Sequence, residues 1–519
     1  MINHKRLMNL FMISLLTVYS AAACTQTPAQ QTSQEYWPVG DFRSSSPEEQ
    51  GMDSSLLVQM FETIQKEDIR LHSLLIVRNG YLVTEAYWAP YGLGDKHSIE
   101  SITKSVIGSL VGIAIDKGMI KGVDQKMLGF FPDRPIQNLD DQKKAITLQN
   151  LLSMTPGMNC QDLSSAGQGL FQAGDWVQYL LDLPVTDLPG TRWIYCSGAV
   201  HLLSAILQKA TGMDARTYAN STLFEPLGIP EVKEQDWSTD PQGVTNGIAG
   251  LYLTPRDVAK YGVLYLNKGD WNGRQVVSRR WVDESTGEQA YIGKDDYVGG
   301  LDRRFGYLWS IFPEQKIYGY LGMAGQELFI VPEKKLVIVF TGSLEVGKEA
   351  ALLRLVNDYI ILAARSEASL QAAPQTDSEL KALIESFAGS KQPVPALPQT
   401  ALDITGKRYL LDGNPLGWKD MTFSFQPDSD VATLEMTGSP TLEIGLDDQY
   451  RMTETPGSRP VGLKGYWDAP DTFVLQYIIK GEFIESTARI EFEADKITLT
   501  IKNLNYSAPP MVLHGSVVK

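Results

Sequence analysis

The sequence has few cysteines, few histidines and a deficit of positive charge, and each scarcity excludes a class of protein. Its 519 residues contain three cysteines, too few for the disulfide framework of a small secreted scaffold. The five histidines are scattered, and no Cys/His cluster has the spacing of metal ligands. With 46 Lys and Arg against 61 Asp and Glu, the net charge is −15, which repels phosphate backbones and disfavours a nucleic-acid partner.

Two familiar hydrolase motifs are absent as well. No Gly-x-Ser-x-Gly sequence marks the nucleophile elbow of an α/β-hydrolase, and no His is followed by Glu as the zincin helix requires. The composition, 43% hydrophobic and 21% charged, is nonetheless that of a globular protein that buries a sizeable core. At about 150 residues per domain, the length suggests roughly three domains.

The first residues have the pattern of an export signal. Lys5 and Arg6 form a positive start, and the apolar stretch at 7–18 is too short to span a bilayer comfortably. Small residues then precede Cys24 in a pattern that resembles the bacterial lipobox, although Ala21 stands where a Leu is usual. The alternative is an ordinary signal-peptidase site in a soluble secreted protein, in which Cys24 has no special role.

We therefore predict a signal peptide at 1–23, a polar tether at 24–45 and a lipid anchor on Cys24. Such a protein would lie in the periplasm or at the outer membrane, and it would meet the membrane only through that anchor. Loss of residues 1–23 removes two cations and no acidic residue, which takes the net charge from −15 to −17.

The larger part of the chain combines strand and helix patterns. Hairpins are predicted at 74–83, around an Asn-Gly turn, and at 328–340. Helices are predicted at 102–116 and at 201–210, each followed by a glycine. Strands at both ends with helices between them indicate an α+β domain whose sheet is built from the two ends, with a closing helix at 351–364.

The chain then changes character twice. We place the α+β domain at 46–365 and a linker at 366–400, where Ala, Ser, Gln and Pro dominate and one short helix at 378–387 fits the pattern. From 401 to 519, apolar and polar residues alternate in short runs separated by Gly, Pro, Asp and Asn, which predicts an all-β sandwich or barrel. That domain has no catalytic constellation and is predicted to serve in packing or recognition.

One pair of residues indicates nucleophilic chemistry. Ser101 and Lys104 open a helix whose later residues are mostly apolar, which predicts that the helix is buried. Residues three apart share a helix face, so the Lys104 amine would lie one turn from the Ser101 hydroxyl. A buried neutral amine can take the proton of such a hydroxyl, and the helix N-terminus would stabilise an oxyanion. The alternative is a helix-capping serine and a lysine that extends to solvent, and this segment alone favours neither.

Five motifs in order resemble those of the serine β-lactamase and penicillin-binding superfamily. The likeness is strongest to its class C-like esterase and amidase branch, which includes 6-aminohexanoate-dimer hydrolase. The motifs are Ser101–Ser105, Leu151–Gly157, Pro189–Gly198, Leu251–Asp257 and Gly322–Gln326. The resemblance covers most of residues 46–365 and implies a β-lactamase/transpeptidase-like fold, in which helices cover an antiparallel sheet.

The resemblance also implies roles for particular residues. Ser101 would be the nucleophile and Lys104 its general base, while Tyr195 would pass a proton to the leaving group and help to hold Lys104. The backbone N–H groups of Ser101 and Met323 would form the oxyanion hole. Side chains or backbone expected to contact substrate are Ser197, Tyr320, Gly322 and Trp176. No metal or organic cofactor is implied.

The sequence departs from the family pattern at two of these positions. Ser197 replaces the usual Asn of the second motif, and a hydroxyl offers fewer hydrogen bonds than an amide. Tyr320 stands where the third motif usually has a Lys or His that binds a substrate carboxylate. The missing cation weakens the case for β-lactams and carboxy-terminal peptides and favours a neutral ester or amide.

We therefore predict a serine hydrolase that cleaves a small-molecule ester or amide, or a peptide, through an acyl-enzyme. Two alternatives stay open: a cell-wall D,D-peptidase, D-aminopeptidase or β-lactamase, and a catalytically silent binding protein of the same fold. His97 is expected at a helix start or on the surface. Cys160 and Cys196 are expected to be free thiols, although an oxidising compartment would permit them to pair.

Overall fold

The computed structural model describes residues 36–518, and the fold lies in one compact unit that begins at Trp37. The predicted signal peptide, Cys24 and the first part of the predicted tether lie outside the described residues. The end of that predicted tether is packed rather than free, because Phe42 is buried and the Leu82 N–H donates to the Arg43 carbonyl at 2.9 Å. Within residues 36–518, no helix is long and apolar enough to cross a membrane.

The first domain combines strands and helices along its whole length. Its strands are β1 (Leu71–Arg78), β2 (Tyr81–Tyr87), β3 (His97–Ser98), β4 (Tyr252–Leu253), β5 (Asp270–Trp271), β6 (Arg274–Gln275), β7 (Ala290–Asp295), β8 (Leu301–Phe305), β9 (Ser310–Phe312), β10 (Ile317–Gly322), β11 (Gln326–Val331) and β12 (Leu336–Gly342). Its helices are α1 (Ser54–Lys66), α2 (Ile102–Asp116), α3 (Asp141–Ala145), α4 (Leu148–Leu152), α5 (Ser165–Gly169), α6 (Trp176–Asp182), α7 (Ser197–Thr211), α8 (Ala215–Ala219), α9 (Pro255–Leu266), α10 (Arg279–Ser285), α11 (Ala350–Leu355) and α12 (Ile361–Ala363).

The main sheet is antiparallel and is built from both ends of the first domain. Its strand order is β2-β1-β12-β11-β10-β9-β8-β7, so the first strand of the domain pairs with the last. In that pairing Leu75 lies opposite Val339. The two predicted hairpins form as β1–β2 and β11–β12 and become neighbours, which confirms the expected α+β architecture.

Helices cover both faces of this sheet. Along β11, Leu328 and Ile330 join the larger apolar core with α2 and α9, while Phe329 joins a second core with α1 and α11. Such alternation is the period of two that a strand imposes on its side chains. The predicted closing helix forms as α11 and α12, joined through the π-helical turn Val356–Ile360. Helix α2 spans 102–116 as predicted, and α7 extends the helix predicted at 201–210.

The predicted linker is more ordered than its composition indicated. It contains α13 (Pro374–Phe387), which packs against α1 and β2. The ring of Phe387 stacks on Trp88 with centroids 4.6 Å apart, and Leu380 is buried. The helix has an apolar face that the first domain covers, and composition alone does not reveal such a partner. The segment is therefore a packed connection rather than a free spacer.

The second domain is a closed barrel. It consists of α14 (Gln399–Ile404), β13 (Arg408–Leu411), β14 (Asp420–Ser424), β15 (Val431–Glu435), β16 (Leu442–Gly445), β17 (Arg451–Thr453), β18 (Val461–Ala469), β19 (Thr472–Ile479), β20 (Glu485–Glu493), β21 (Lys496–Asn503) and β22 (Met511–Val517). Nine strands form a ring in the order β16-β15-β14-β13-β22-β21-β20-β19-β18, and a parallel pairing of Gly445 with Lys464 closes it. Strand β17 pairs with β18 beside this closure. Of the two predicted all-β forms, the structure has the barrel.

A buried chain of polar side chains joins the barrel to the first domain. His72 on β1 places Nδ1 2.8 Å from Nε2 of His97 and Nε2 2.9 Å from a carboxylate oxygen of Glu485 on β20. Nδ1 of His97 lies 2.8 Å from the carbonyl oxygen of Ser98, which can only accept, so this nitrogen carries the ring hydrogen of His97. His97 is therefore part of a buried junction, and the expected helix-start or surface position was wrong.

This junction predicts a loss of stability in acid. Burial and the nearby His72 lower the pKa of His97 to about 3, from an ordinary value of 6.5. Below pH 6.5 the unfolded chain binds a proton that the folded chain excludes, so stability falls as the pH drops towards 3. Between pH 7 and pH 5 the loss from this residue should be ~2 kcal/mol.

Urea denaturation of the wild type and of His97→Gln at both pH values measures this loss. The variant should lack this part of the pH dependence. His514→Gln changes an exposed barrel histidine and should keep the wild-type dependence. Equal pH dependence in the wild type and His97→Gln would contradict the assignment.

Candidate active site

The turn into α2 is held in an unusual backbone conformation. Glu100 has φ of 44°, in the left-handed region that residues other than glycine seldom adopt. The Ser98 hydroxyl donates to the Glu100 carboxylate at 2.5 Å, and burial raises the pKa of this carboxyl group. Such strain is typical of functional sites, where the surrounding structure enforces it. Here it sets Ser101 at the start of α2, which is buried from Ile102 to Ala114.

Three of the predicted site residues meet at the Ser101 hydroxyl. The Lys104 side chain is only 1% exposed, and its Nζ donates to Ser101 Oγ at 2.8 Å and to the Ile248 carbonyl oxygen at 2.8 Å. The Tyr195 hydroxyl donates to the same Oγ at 3.0 Å. The Lys104 amine also lies 5.2 Å from the centre of the Tyr195 ring. The lysine is thus enclosed, and the alternative in which it extends to solvent does not apply.

A disulfide fixes the segment that carries Tyr195. Cys160 and Cys196 are bonded, with Cα atoms 5.3 Å apart, so the expectation of free thiols was wrong. The two residues are separated by 36 positions in sequence, and only the folded loop brings them together. Because Cys196 directly follows Tyr195, the bond restrains the backbone next to the phenol.

Asp162 gives this segment a second restraint. Its N–H donates to the Tyr195 carbonyl at 3.1 Å, and its carboxylate accepts from the Ser197 N–H at 2.7 Å and from the Ser197 hydroxyl at 2.5 Å. Ser197 was expected to contact substrate, but it is buried at the start of α7 with its donors directed to this carboxylate. These bonds hold Asp162 beside Tyr195, and a contact of Ser197 with substrate stays a prediction.

The turn after β10 packs against Glu100, the residue that precedes the nucleophile. Gly322 packs against Glu100, since a Cβ at Gly322 would lie 3.3 Å from the Glu100 Cβ and 2.6 Å from the Gln326 carbonyl oxygen. A larger residue would push the turn away from Glu100. Ala324 follows in the left-handed region with φ of 57°. This arrangement is compatible with the predicted oxyanion hole, and that role stays a prediction.

Two buried side chains hold this turn from behind. The Gln326 amide donates to the carbonyl oxygens of Met323 at 2.9 Å and Ala324 at 3.2 Å. The Glu349 carboxylate accepts from the N–H of Ala324 at 3.1 Å and from that of Gly347 at 2.7 Å. The backbone orientation at Met323 therefore depends on side chains outside the cluster of Ser101, Lys104 and Tyr195.

The remaining predicted substrate contacts are buried or partly buried. Tyr320 is 1% exposed, and its hydroxyl has no hydrogen-bond partner among the described residues. Burial and the neighbouring Tyr195 raise the pKa of Tyr320 well above its ordinary value, so the phenol is neutral at physiological pH. Trp176 packs edge-on against the rings of Phe171 and His201. A contact of Trp176 with substrate stays a prediction.

Several groups that shape the site were not identified from the sequence. The Ile248 carbonyl carries no signal, because every residue has one. Asp162 and Glu349 resemble ordinary surface acids until their partners are known, whereas Gln326 lies inside the fifth motif and could have been found there. Within residues 36–518, no cluster of three His, Cys, Asp or Glu side chains could hold a metal ion.

Comparison with known proteins assigns the family. Residues 57–359, more than half of the chain, match the Beta-lactamase family. The 6-aminohexanoate-dimer hydrolase of Paenarthrobacter ureafaciens is 25% identical over 291 residues, which cover 53% of this chain and 72% of that protein. Beta-lactamase-like protein 2 of Dictyostelium discoideum is 21% identical over 429 residues, 76% of this chain and 73% of that one. A solved Bacillus anthracis structure assigned as a 6-aminohexanoate-dimer hydrolase has a TM-score of 0.50 at 21% identity and covers 63% of this chain and 88% of its own.

The fold and the match define the class of protein as a serine hydrolase. The chain belongs to the Beta-lactamase family. The resemblance predicted from five motifs is confirmed, and so is the predicted antiparallel sheet with covering helices.

The disulfide should matter for both stability and activity. Closing a loop of 36 residues stabilises a fold by about 3–4 kcal/mol in the chain-entropy view. Replacing Cys160 and Cys196 by Ala should lower the free energy of unfolding by that order. It should also lower kcat/KM about tenfold, because Tyr195 loses a restraint.

Urea denaturation and ester hydrolysis by the double variant measure the two effects. Dithiothreitol should reproduce both effects on the wild type and add nothing to the double variant, which serves as the control. Full activity of the double variant would show that Tyr195 is positioned without the bond.

Proposed function

We propose that this protein hydrolyses a carboxylic ester or amide through an acyl-enzyme on Ser101. The observation that carries the proposal is the contact of two proton-transfer groups, the Lys104 amine and the Tyr195 phenol, with one hydroxyl oxygen at 2.8 and 3.0 Å. A nucleophile within hydrogen-bond distance of its base is the arrangement that covalent catalysis requires.

Acylation begins when Ser101 Oγ attacks the carbonyl carbon of the substrate. The new bond forms as the hydroxyl proton moves to a neutral Lys104 amine, and the carbonyl electron pair moves onto its oxygen. The N–H groups of Ser101 and Met323 stabilise that oxyanion, with added potential from the N-terminus of α2. The Ile248 carbonyl accepts a hydrogen bond from Lys104, which holds the amine beside Ser101.

The leaving group departs with a proton from Tyr195. As the bond between carbonyl carbon and leaving atom breaks, the phenol protonates that atom, and the Lys104 ammonium restores the phenol proton. Both groups contact the same oxygen, so the proton has a short route between them. Water then attacks the acyl-enzyme with the same groups in reverse order, which releases the acid and regenerates Ser101.

The favoured substrate is uncharged near the reacting bond. Tyr320 replaces the cation that would bind a carboxylate, and its buried phenol is neutral. Arg303, a cation on the same sheet whose charge acts on Tyr320, already donates to Asp295 at 2.7 Å and to Ser310 at 2.7 Å. The relative from Paenarthrobacter ureafaciens is named for hydrolysis of a 6-aminohexanoate dimer, which supports an amide or ester substrate.

Covalent labelling tests the nucleophile. A fluorophosphonate should add one mass adduct per chain to the wild type and none to Ser101→Ala. Ser105→Ala is the matched control, because Ser105 lies in the same helix and its hydroxyl donates to the Ile102 carbonyl at 2.8 Å. Adduct formation in Ser101→Ala, or none in the wild type, would refute the proposal and favour a silent binding protein.

The two proton-transfer groups should contribute separately. Lys104→Met keeps the length of the side chain without its amine and should lower kcat for p-nitrophenyl acetate by about 10³-fold or more. Tyr195→Phe removes only the hydroxyl and should lower kcat for the same ester by about 10²-fold. The cost of Tyr195→Phe should be larger for an anilide than for the phenyl ester, because an amine is the poorer leaving group. Equal costs on both substrates would argue against protonation by Tyr195.

We also propose that the protein is exported and held by a lipid on Cys24. The positive start, short apolar stretch and small residues before Cys24 support this. The wild type expressed in a Gram-negative host should partition into the detergent phase of Triton X-114, and Cys24→Ser should partition into water. A wild type found only in the aqueous phase would contradict the anchor.

A further inference from the structure

One loop of the barrel is anchored on the first domain close to the proposed active site. This loop, residues 504–510, joins β21 to β22. Asn505 is fully buried. Its side-chain amide donates to the Ser343 hydroxyl at 2.9 Å, and its backbone carbonyl accepts from the Val346 N–H at 2.8 Å. The Ser507 hydroxyl donates to the Glu345 carboxylate. The backbone on both sides of Tyr506 is therefore fixed to the segment that follows β12.

Tyr506 itself is not buried by these anchors. Its side chain is 42% exposed, and its hydroxyl donates to the Met323 sulfur at 3.6 Å. Met323 is 39% exposed. The hydroxyl of an exposed barrel tyrosine thus contacts an exposed thioether of the first domain, and solvent or a ligand can reach both side chains.

The position of this pair relative to the nucleophile follows from its neighbours. Met323 directly follows Gly322, which packs against Glu100, and Glu100 directly precedes Ser101. Burial and the charge of Glu100 raise the pKa of Tyr506, which places its ring within electrostatic reach of the same turn. The Tyr506–Met323 pair therefore lies beside the turn at Gly322, which packs against the residue that precedes Ser101. Tyr195 reaches Ser101 from the second motif instead.

We propose that Tyr506 and Met323 form the wall that binds an apolar acyl chain of the substrate, which makes Tyr506 a specificity-determining residue supplied by the barrel. The inference rests on the proposed function, in which the leaving group must lie beside its proton donor Tyr195. The acyl chain is the other substituent of the carbonyl carbon and extends towards Met323. A phenyl ring and a flexible thioether favour hydrocarbon and tolerate several shapes.

Two series of esters test this assignment. For p-nitrophenyl esters, Tyr506→Ala should lower the ratio of kcat/KM for octanoate to that for acetate about tenfold, because the longer chain loses its contact. Tyr506→Phe keeps the ring and should leave this ratio within twofold of the wild type. Tyr466→Ala removes another exposed barrel tyrosine and is the matched control. With the acyl group held as acetate, a change of leaving group should affect Tyr506→Ala and wild type alike.

Several results would overturn the proposal. An unchanged octanoate-to-acetate ratio in Tyr506→Ala would exclude a role in acyl binding, and a loss that follows the leaving group would place Tyr506 on the other side of the carbonyl. Fluorophosphonate titration counts the competent sites, so partial misfolding does not alter the ratio. The absence of an adduct in the wild type would refute the proposed function instead, and a labelled enzyme with no acyl preference would refute only this inference.

Discussion

The structure depends on one lysine amine that has been removed from water. Burying an amine is costly unless its hydrogens find acceptors, and Lys104 donates to the Ser101 hydroxyl and to the Ile248 carbonyl. Helix α2 accommodates the lysine because nearly every other position of the helix is buried and apolar or small. The loop before β4 supplies the carbonyl, and the loop before α7 supplies Tyr195. Most of the first domain can be understood as the packing that keeps these three segments at hydrogen-bond distance.

The barrel belongs to the same arrangement. Its loops contact the strands that lead to the nucleophile: the Gly481 carbonyl accepts from the Ser98 N–H at 2.7 Å, three residues before Ser101. Glu485 ends the buried histidine chain that starts at the Ser98 carbonyl. A polar junction of this kind is stable only with all of its partners present. The barrel thus supports the segment that leads into the strained turn at Glu100.

Sequence patterns were sufficient where the determining contacts are local. The hairpin at 74–83, helix α2 and the contact of Ser101 with Lys104 all follow from periods of two or 3.6 residues and from spacings of three. Contacts between distant segments were beyond such reasoning. Lys104 and Ile248 are separated by 144 positions, and the two bonded cysteines by 36. Helix α13 was expected to lie in a linker because the segment around it is rich in Ala and Pro. Its packing depends on distant partners on the first domain, which the composition of the segment does not reveal.

The replacement at the third motif has a physical consequence for substrate choice. A lysine or histidine there would hold a positive charge for a substrate carboxylate, whereas Tyr320 offers a neutral phenol with an unsatisfied hydroxyl. A carboxylate brought beside it would lose hydration and gain one neutral hydrogen bond, which is an unfavourable exchange. An uncharged carbonyl substituent loses little hydration and can accept the same hydrogen bond. Under the proposed function, the buried phenol would therefore discriminate by the difference in desolvation rather than by a contact specific to one substrate.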